Sequence, residues 1–294
     1  MDLRFLLRDG PPIPAFNFND QFDLAAAVEA FEAHGRPGIL MVSMNAMASA
    51  GLEFLHDIFL FHRRRASQRL FIELDHCSDE ATLVQAAELG FDMVMADFSQ
   101  LALEDNIKRV ARLTGLLAGT PCLVEAAPTE IPAAEDSGTS RPEPTSPDCL
   151  RTFASETGCD VVAPHLGTLH GFDRQKPSLD FARVAELTAA SPVPLAAHGC
   201  DFLAPGQLAG LAGAGVRKLN VGPQLRVAWC VAARAAWADC DLDAPDQRQV
   251  HAVAGRAMRS EAEAIIDEMG RGYSAAIAES RAAGFSVQAT TRRR

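Results

Sequence analysis

The sequence predicts an α/β protein: a (β/α)8 TIM barrel of parallel strands with a C-terminal helical extension. Three observations point there. Eight short apolar runs alternate with longer amphipathic ones along most of the 294 residues, the pattern of a parallel sheet flanked by helices. The runs are continuously apolar, as in strands buried on both faces. No Gly-x-Gly-x-x-Gly follows the first run, so an open dinucleotide-binding sheet lacks its motif, and eight repeats favour closure into a barrel.

The elements follow in order. A first strand is expected at 13–18, with Asp20 as N-cap of a helix at 24–33. The second strand, 38–43, precedes a helix through 52–64, and the third, 70–75, a helix at 80–89. The fourth, 91–97, precedes a helix at 103–117, and the fifth spans 121–126. The sixth, 160–165, is followed by a helix at 180–189, and the seventh, 194–198, by one at 206–212. The eighth, 218–222, leads into a helix from about 224. Residues 244–283 read as one or two helices against the barrel or a partner chain, and Arg292, Arg293 and Arg294 as a frayed tail. The expected division is a catalytic barrel over 1–243, with 244–294 as helices and tail of the same domain. One segment breaks the alternation. Residues 128–147 hold Pro128, Pro132, Pro142, Pro144 and Pro147. They follow the fifth strand, at the face where barrel active sites lie, and read as a lid loop.

Composition sets bounds on function. Hydrophobic residues at 48% and charged residues at 22% exclude a disordered chain. A net charge of −11 argues against nucleic acid as the main partner. No run reaches the roughly 18 apolar residues of a membrane span. Arg4 and Arg8 interrupt the start, so no signal peptide is expected. Seven cysteines without paired spacing read as reduced thiols of a cytoplasmic protein.

The titratable residues gather at strand ends. Asp75 and His76 end the third strand, Asp97 the fourth, Glu125 the fifth and His165 the sixth. His170 follows in Gly167-Thr168-Leu169-His170-Gly171, and His198 ends the seventh in Ala197-His198-Gly199. A barrel collects these ends around one mouth. Imidazoles converging beside carboxylates suit a transition metal, with Zn2+ the default. Three protein ligands with an open position mark a catalytic site. His34, His56, His62 and His251 fall in expected helices and read as structural, and Cys77 and Cys200 as small packing residues.

These residues resemble the class II, zinc-dependent fructose-bisphosphate and tagatose-bisphosphate aldolases. The resemblance runs from about 13 to 228. It rests on Ala15-Phe16-Asn17-Phe18-Asn19, Leu74-Asp75-His76 and Gly90-Phe91-Asp92-Met93-Val94-Met95-Ala96-Asp97. It continues through Val124-Glu125-Ala126, Gly167-Thr168-Leu169-His170-Gly171, Ala197-His198-Gly199 and Lys218-Leu219-Asn220-Val221. The resemblance implies one Zn2+ per chain on His76, His170 and His198, with Asp75 as acid/base and Asp97 beside the metal. It implies that Glu135, on a mobile loop, moves the carbon-bound proton. Asn17, Ser43, Glu125, His165, Gly199, Asp201, Asn220 and Arg174 are expected around the metal or the substrate. Zn2+ would polarise a carbonyl and stabilise an enediolate, and Asp75 would take a hydroxyl proton. Family members are commonly dimers or larger, so a homodimer or larger homo-oligomer is expected.

Several positions depart from the family pattern. Its Gly-Gly-Ser after the third histidine is Gly199-Cys200-Asp201 here, which sets a repelling carboxylate where a phosphate binds. Its Asn-x-Asp-Thr is Asn220-Val221-Gly222-Pro223, losing the Asp and Thr side chains and one N–H. Glu-x-Glu is Glu125-Ala126-Ala127, and the Gly-Gly before the mobile Glu is Ala133-Ala134. The expected function is a zinc-dependent aldolase-type lyase acting on a small sugar-like or hydroxy-carbonyl substrate without the usual ketose phosphate. Two alternatives stand beside it: a metal-dependent epimerase or dehydratase using the same chemistry, and a non-catalytic aldolase-like partner subunit.

Overall fold

The eight apolar runs form strands β1 (Ile13–Asn17), β2 (Gly38–Ser43), β3 (Leu70–Cys77), β4 (Met93–Ala96), β5 (Leu123–Ala126), β6 (Val161–Val162), β7 (Ala196–Ala197) and β8 (Lys218–Val221). The computed structural model describes residues 2–132, 144–172, 178–241, 243 and 245–282. The strands pair in parallel in the order β6-β5-β4-β3-β2-β1-β8-β7. The two ends of that row meet: Val162 bridges Leu195, and its N–H donates to Pro194 O at 3.1 Å. The sheet therefore closes into a barrel with a seam one bridge long. β6 and β7 are shorter than expected, so His165 lies beyond its strand and His198 follows directly on β7.

The first helix, α1 (Leu3–Asp9), was not expected from the sequence. Asp2 caps it by accepting Phe5 N–H at 2.8 Å. Leu3, Leu6 and Leu7 share one face and plug the N-terminal end of the barrel against Ile13, Ile39 and Phe71. Burying each contributes about 1.5–3 kcal/mol. In α2 (Gln21–His34), Asp20 and Asp23 close a capping box. The helix expected at 52–64 is α4 (Leu52–Arg63), and a short helix not expected from the sequence, α3 (Met44–Ala50), precedes it, the two separated by Gly51 at φ +87°. α5 (Glu80–Leu89) and α6 (Leu103–Leu116) fall where expected.

Between the loop expected at 128–147 and the sixth strand the sequence reading placed no helix, yet α7 (Pro147–Thr157) forms. Pro147 opens it, where its missing N–H costs nothing, and Ser146 caps it by accepting Cys149 N–H at 3.2 Å. α8 (Phe181–Ala190), α9 (Gln207–Gly213) and α10 (Pro223–Ala238) complete the outer ring. The C-terminal segment is one helix, α11 (Gln247–Ala282), packed along α2, α9 and α10. Among the described residues no helix is long and apolar enough to cross a membrane.

Two cores result. The outer one lies between strands and helices and includes Phe16, Phe31 and Phe59. The inner one fills the barrel with Ala15, Met41, Met93, Met95, Ala163 and Ala196. Strand alternation then puts polar residues at the next inward positions. Glu73 and Lys218, both 0% exposed, occupy the barrel interior, and Asn17, Asp75, Asn220 and His198 lie towards the C-terminal mouth.

Candidate active site

Alternation alone would turn His76 outward, since Asp75 before it points in. A slip in the β3–β4 pairing between Leu74 and Cys77 prevents this, and His76 adopts φ +54°. Such a bulge re-aims a side chain, and the left-handed backbone of a non-glycine costs about 1–3 kcal/mol. His170 is placed by its N–H, which donates to Pro132 O at 3.0 Å and ties the loop after β6 to the loop after β5. His198 is followed by Gly199 at φ +65°, where a Cβ would lie 2.6 Å from the Leu169 carbonyl. Only glycine lets the 169–170 backbone pass so close.

The three imidazoles come together. One nitrogen from each of His76, His170 and His198 lies within 4.8 Å of the others. Their orientations are set from outside. His76 Nδ1 lies 2.6 Å from Asp97 Oδ2, and His198 Nε2 lies 2.7 Å from Glu125 Oε1. The opposite nitrogens, His76 Nε2 and His198 Nδ1, face each other at 3.0 Å. Asp97 is itself held by Ser99, through Oγ at 2.6 Å and N–H at 3.3 Å. His170 Nε2 is buried without a hydrogen-bond partner. Imidazoles that give their outer N–H to carboxylates and turn the other nitrogen to a shared centre fit a metal ion.

Electrostatics agrees with a cation there. Burial disfavours charge on His76, but Asp75 and Asp97 outweigh it and push the imidazole up to about 9. Burial, His76 and His198 together drive His170 down to about 3. Burial opposes charge on Glu125, yet Lys218 and His198 hold it down to about 2. Asp75 is lowered despite its burial, by His76 and His198.

Asp75 is engaged on one oxygen only. Asn17 Nδ2 donates to its Oδ2 at 3.0 Å, while Oδ1 is buried without a hydrogen-bond partner, 3.9 Å from His76 Nε2. A cavity of about 290 Å³ opens beside the imidazoles, lined by His76, Asp97, Ser99, Gln100, Glu130 and His170. The other expected site residues spread around this centre. Asn220 Nδ2 lies 3.1 Å from His198 Nε2. Ser43 pairs in register with Asp75, and its hydroxyl accepts Ala46 N–H to cap α3. His165 is outside the trio. It pins the end of the proline-rich loop, its N–H donating to Thr145 Oγ1 at 2.9 Å. Asp201 Oδ1 accepts Gly222 N–H at 3.0 Å and Gln224 N–H at 2.8 Å. Glu135 and Arg174 lie outside the described residues.

Sequence reading missed Glu73, Lys218, Ser99 and Glu130. Lys218 Nζ donates to Glu73 Oε1 at 3.0 Å and lies 3.0 Å from Glu125 Oε2. The available signal was spacing: Glu73 and Asp75, two apart on one strand, must share the inward face.

Residues 7–272 match the family model described as fructose-bisphosphate aldolase class-II. The sulfofructosephosphate aldolase of Alkalicoccus urumqiensis is 27% identical over 225 residues, covering 76% of this chain and 78% of that relative. The YdjI aldolase from Escherichia coli K12 superimposes with a TM-score of 0.79 at 22% identity, over 93% of this chain and 98% of that one. Fructose-bisphosphate aldolase from Campylobacter jejuni superimposes at 0.74 and 15% identity, over 91% and 92% of the two chains. At these identities the solved structures speak to the fold, a (β/α)8 barrel. The family match runs from α1 through the barrel into α11, and by it the chain belongs to the class II fructose-bisphosphate aldolase family.

Proposed function

We propose that this chain is a zinc-dependent lyase of aldolase type. Its substrate is a sugar-like hydroxy-carbonyl compound without the usual ketose phosphate. The observation that supports it most is the meeting of three imidazoles with a buried carboxylate oxygen, Asp75 Oδ1, that has no hydrogen-bond partner. His76, His170 and His198 would hold one Zn2+, which supplies a Lewis acid for a substrate carbonyl when bound. Asp97 and Glu125 fix the ring orientations that leave His76 Nε2 and His198 Nδ1 available. Asn17 holds Asp75 so that Oδ1 meets the substrate. Asp75 takes the proton of the hydroxyl beside the breaking carbon–carbon bond. That hydroxyl carbon leaves as an aldehyde, and the bonding pair passes to the carbonyl fragment, which regains a proton on carbon. The family resemblance assigns that last proton to Glu135.

The phosphate-free reading is supported by Asp201, whose carboxylate engages two backbone N–H groups in the loops that bind phosphate in many barrels. Seven free cysteines support a reducing, cytoplasmic setting. Apolar side chains exposed on α10 support a homo-oligomer.

The test combines metal analysis with product analysis. Purified protein is expected to carry one zinc per chain and to lose turnover on chelation. Sugar-like substrates should yield two shorter fragments. Asp75→Asn should lower kcat about 10²- to 10⁴-fold with zinc content unchanged. A metal-free protein indifferent to chelators, or an intact product skeleton, would sink the proposal.

A further inference from the structure

We infer that Lys218 and Glu73 are positioning residues for the metal centre, fixing Glu125 and, through it, the tautomer of His198. The inference rests on the zinc reading above. Glu73, Lys218 and Glu125 are all 0% exposed and come from β3, β8 and β5. β8 pairs with neither β3 nor β5 in the sheet, so the contact runs across the barrel interior. Lys218 Nζ lies 2.8 Å from Glu73 Oε2 and 3.0 Å from Glu125 Oε2. That second contact occupies one oxygen of Glu125 and leaves Oε1 for His198 Nε2 at 2.7 Å. With its Nε2–H donated there, His198 presents the lone pair of Nδ1 towards His76 Nε2.

The two carboxylates that orient imidazoles are thus secured differently. Ser99 holds Asp97, and Lys218 holds Glu125. Buried ion pairs are no better for stability than apolar residues of the same volume, and often worse. Three ionisable side chains in the dry middle of a barrel therefore call for a reason beyond stability. Orienting Glu125 supplies one: without Lys218, Glu125 could rotate and His198 could protonate on either nitrogen.

The test uses the full chain with Glu73→Met and Lys218→Met combined. This removes the lysine together with its Glu73 partner, avoiding the folding defect expected when Lys218→Met alone strands two buried acidic side chains. Thermal unfolding checks the fold. Zinc affinity of the metal-free protein is measured by competition with a chelator. The His198 tautomer is read in the same metal-free protein by 15N–1H NMR. Wild type should show a single Nε2–H form, and the double variant a mixture, with zinc affinity about 10- to 100-fold weaker. A folded variant with unchanged tautomer and unchanged zinc affinity would overturn the positioning role. A wild type that binds no zinc would instead overturn the metal reading, and the tautomer would still decide the role of Lys218 and Glu73.

Discussion

Asp201 lies 3% exposed in the loop after β7, with one oxygen accepting the N–H groups of Gly222 and Gln224 at the start of α10. Gly222 has no side chain with which to cap that helix, and Pro223 has no N–H to present. The carboxylate from the neighbouring loop caps it instead. Helix starts after strands 7 and 8 are where barrels commonly seat phosphate, so the chain carries its own anion at that place. Asp201→Ser frees both N–H groups and removes the charge. Calorimetric titration with inorganic phosphate should then show binding about tenfold tighter or more than in wild type. Asp201→Asn keeps an oxygen for both donors and should stay closed. Equal phosphate binding by wild type and Asp201→Ser would count against a built-in anion. The sequence showed Asp201 as a repelling charge but not its two donors, because loop–loop contacts have no periodicity to read. His76 was legible as a strand-end histidine. The bulge that turns it inward was not, since alternation predicts the opposite face.

At the scale of elements, strands and helices with strong periodicity were legible and boundaries set by single residues were not. Glu80–Leu89 appears where expected because Asp79 caps it and Gly90 ends it. Gly51 at φ +87° ends α3, a helix of 7 residues too short to show a period, and α4 then starts at Leu52 as expected. Pro147 reads as loop when counted with four other prolines, yet it starts α7. The C-terminal pair has a further consequence. α10 exposes Val231 (52%) and Trp237 (45%), and Val231 lines a groove of about 720 Å³ together with Val227, Ala235 and Ala257 of α10 and α11. Exposed apolar side chains beside an apolar groove suit a second copy of the chain. Sedimentation velocity should find a dimer or larger at micromolar concentration, and Val231→Asp should shift it towards monomer. A monomeric wild type would remove this role for α10.

For the molecule as a whole, the −11 charge at pH 7 counts Glu73 as ionised, yet its burial favours the protonated form. Burial raises Glu73, Lys218 opposes this, and Glu125 and Asp75 add to the rise, leaving it at about 8. Burial and Asp20 raise Asp23 to about 6. Between its ordinary and its raised value each holds a proton in the folded chain that the unfolded chain has released, so each makes stability fall as pH rises across that window. For Glu73 that window runs from its ordinary 4.5 to about 8. Denaturant unfolding between pH 5 and 8.5 should therefore show a flatter pH dependence for Glu73→Gln than for wild type. Parallel curves would mean that Glu73 is ionised in the fold.

The barrel seam joins β6 to β7 by the single bridge between Val162 and Leu195. As a hoop, the sheet is weakest there. His170 follows β6 and His198 follows β7, so two members of the imidazole trio stand on opposite banks of that gap. An ion gripped by both would act as a clasp on the hoop, and the same histidines that arrange the chemistry would keep the barrel from springing open.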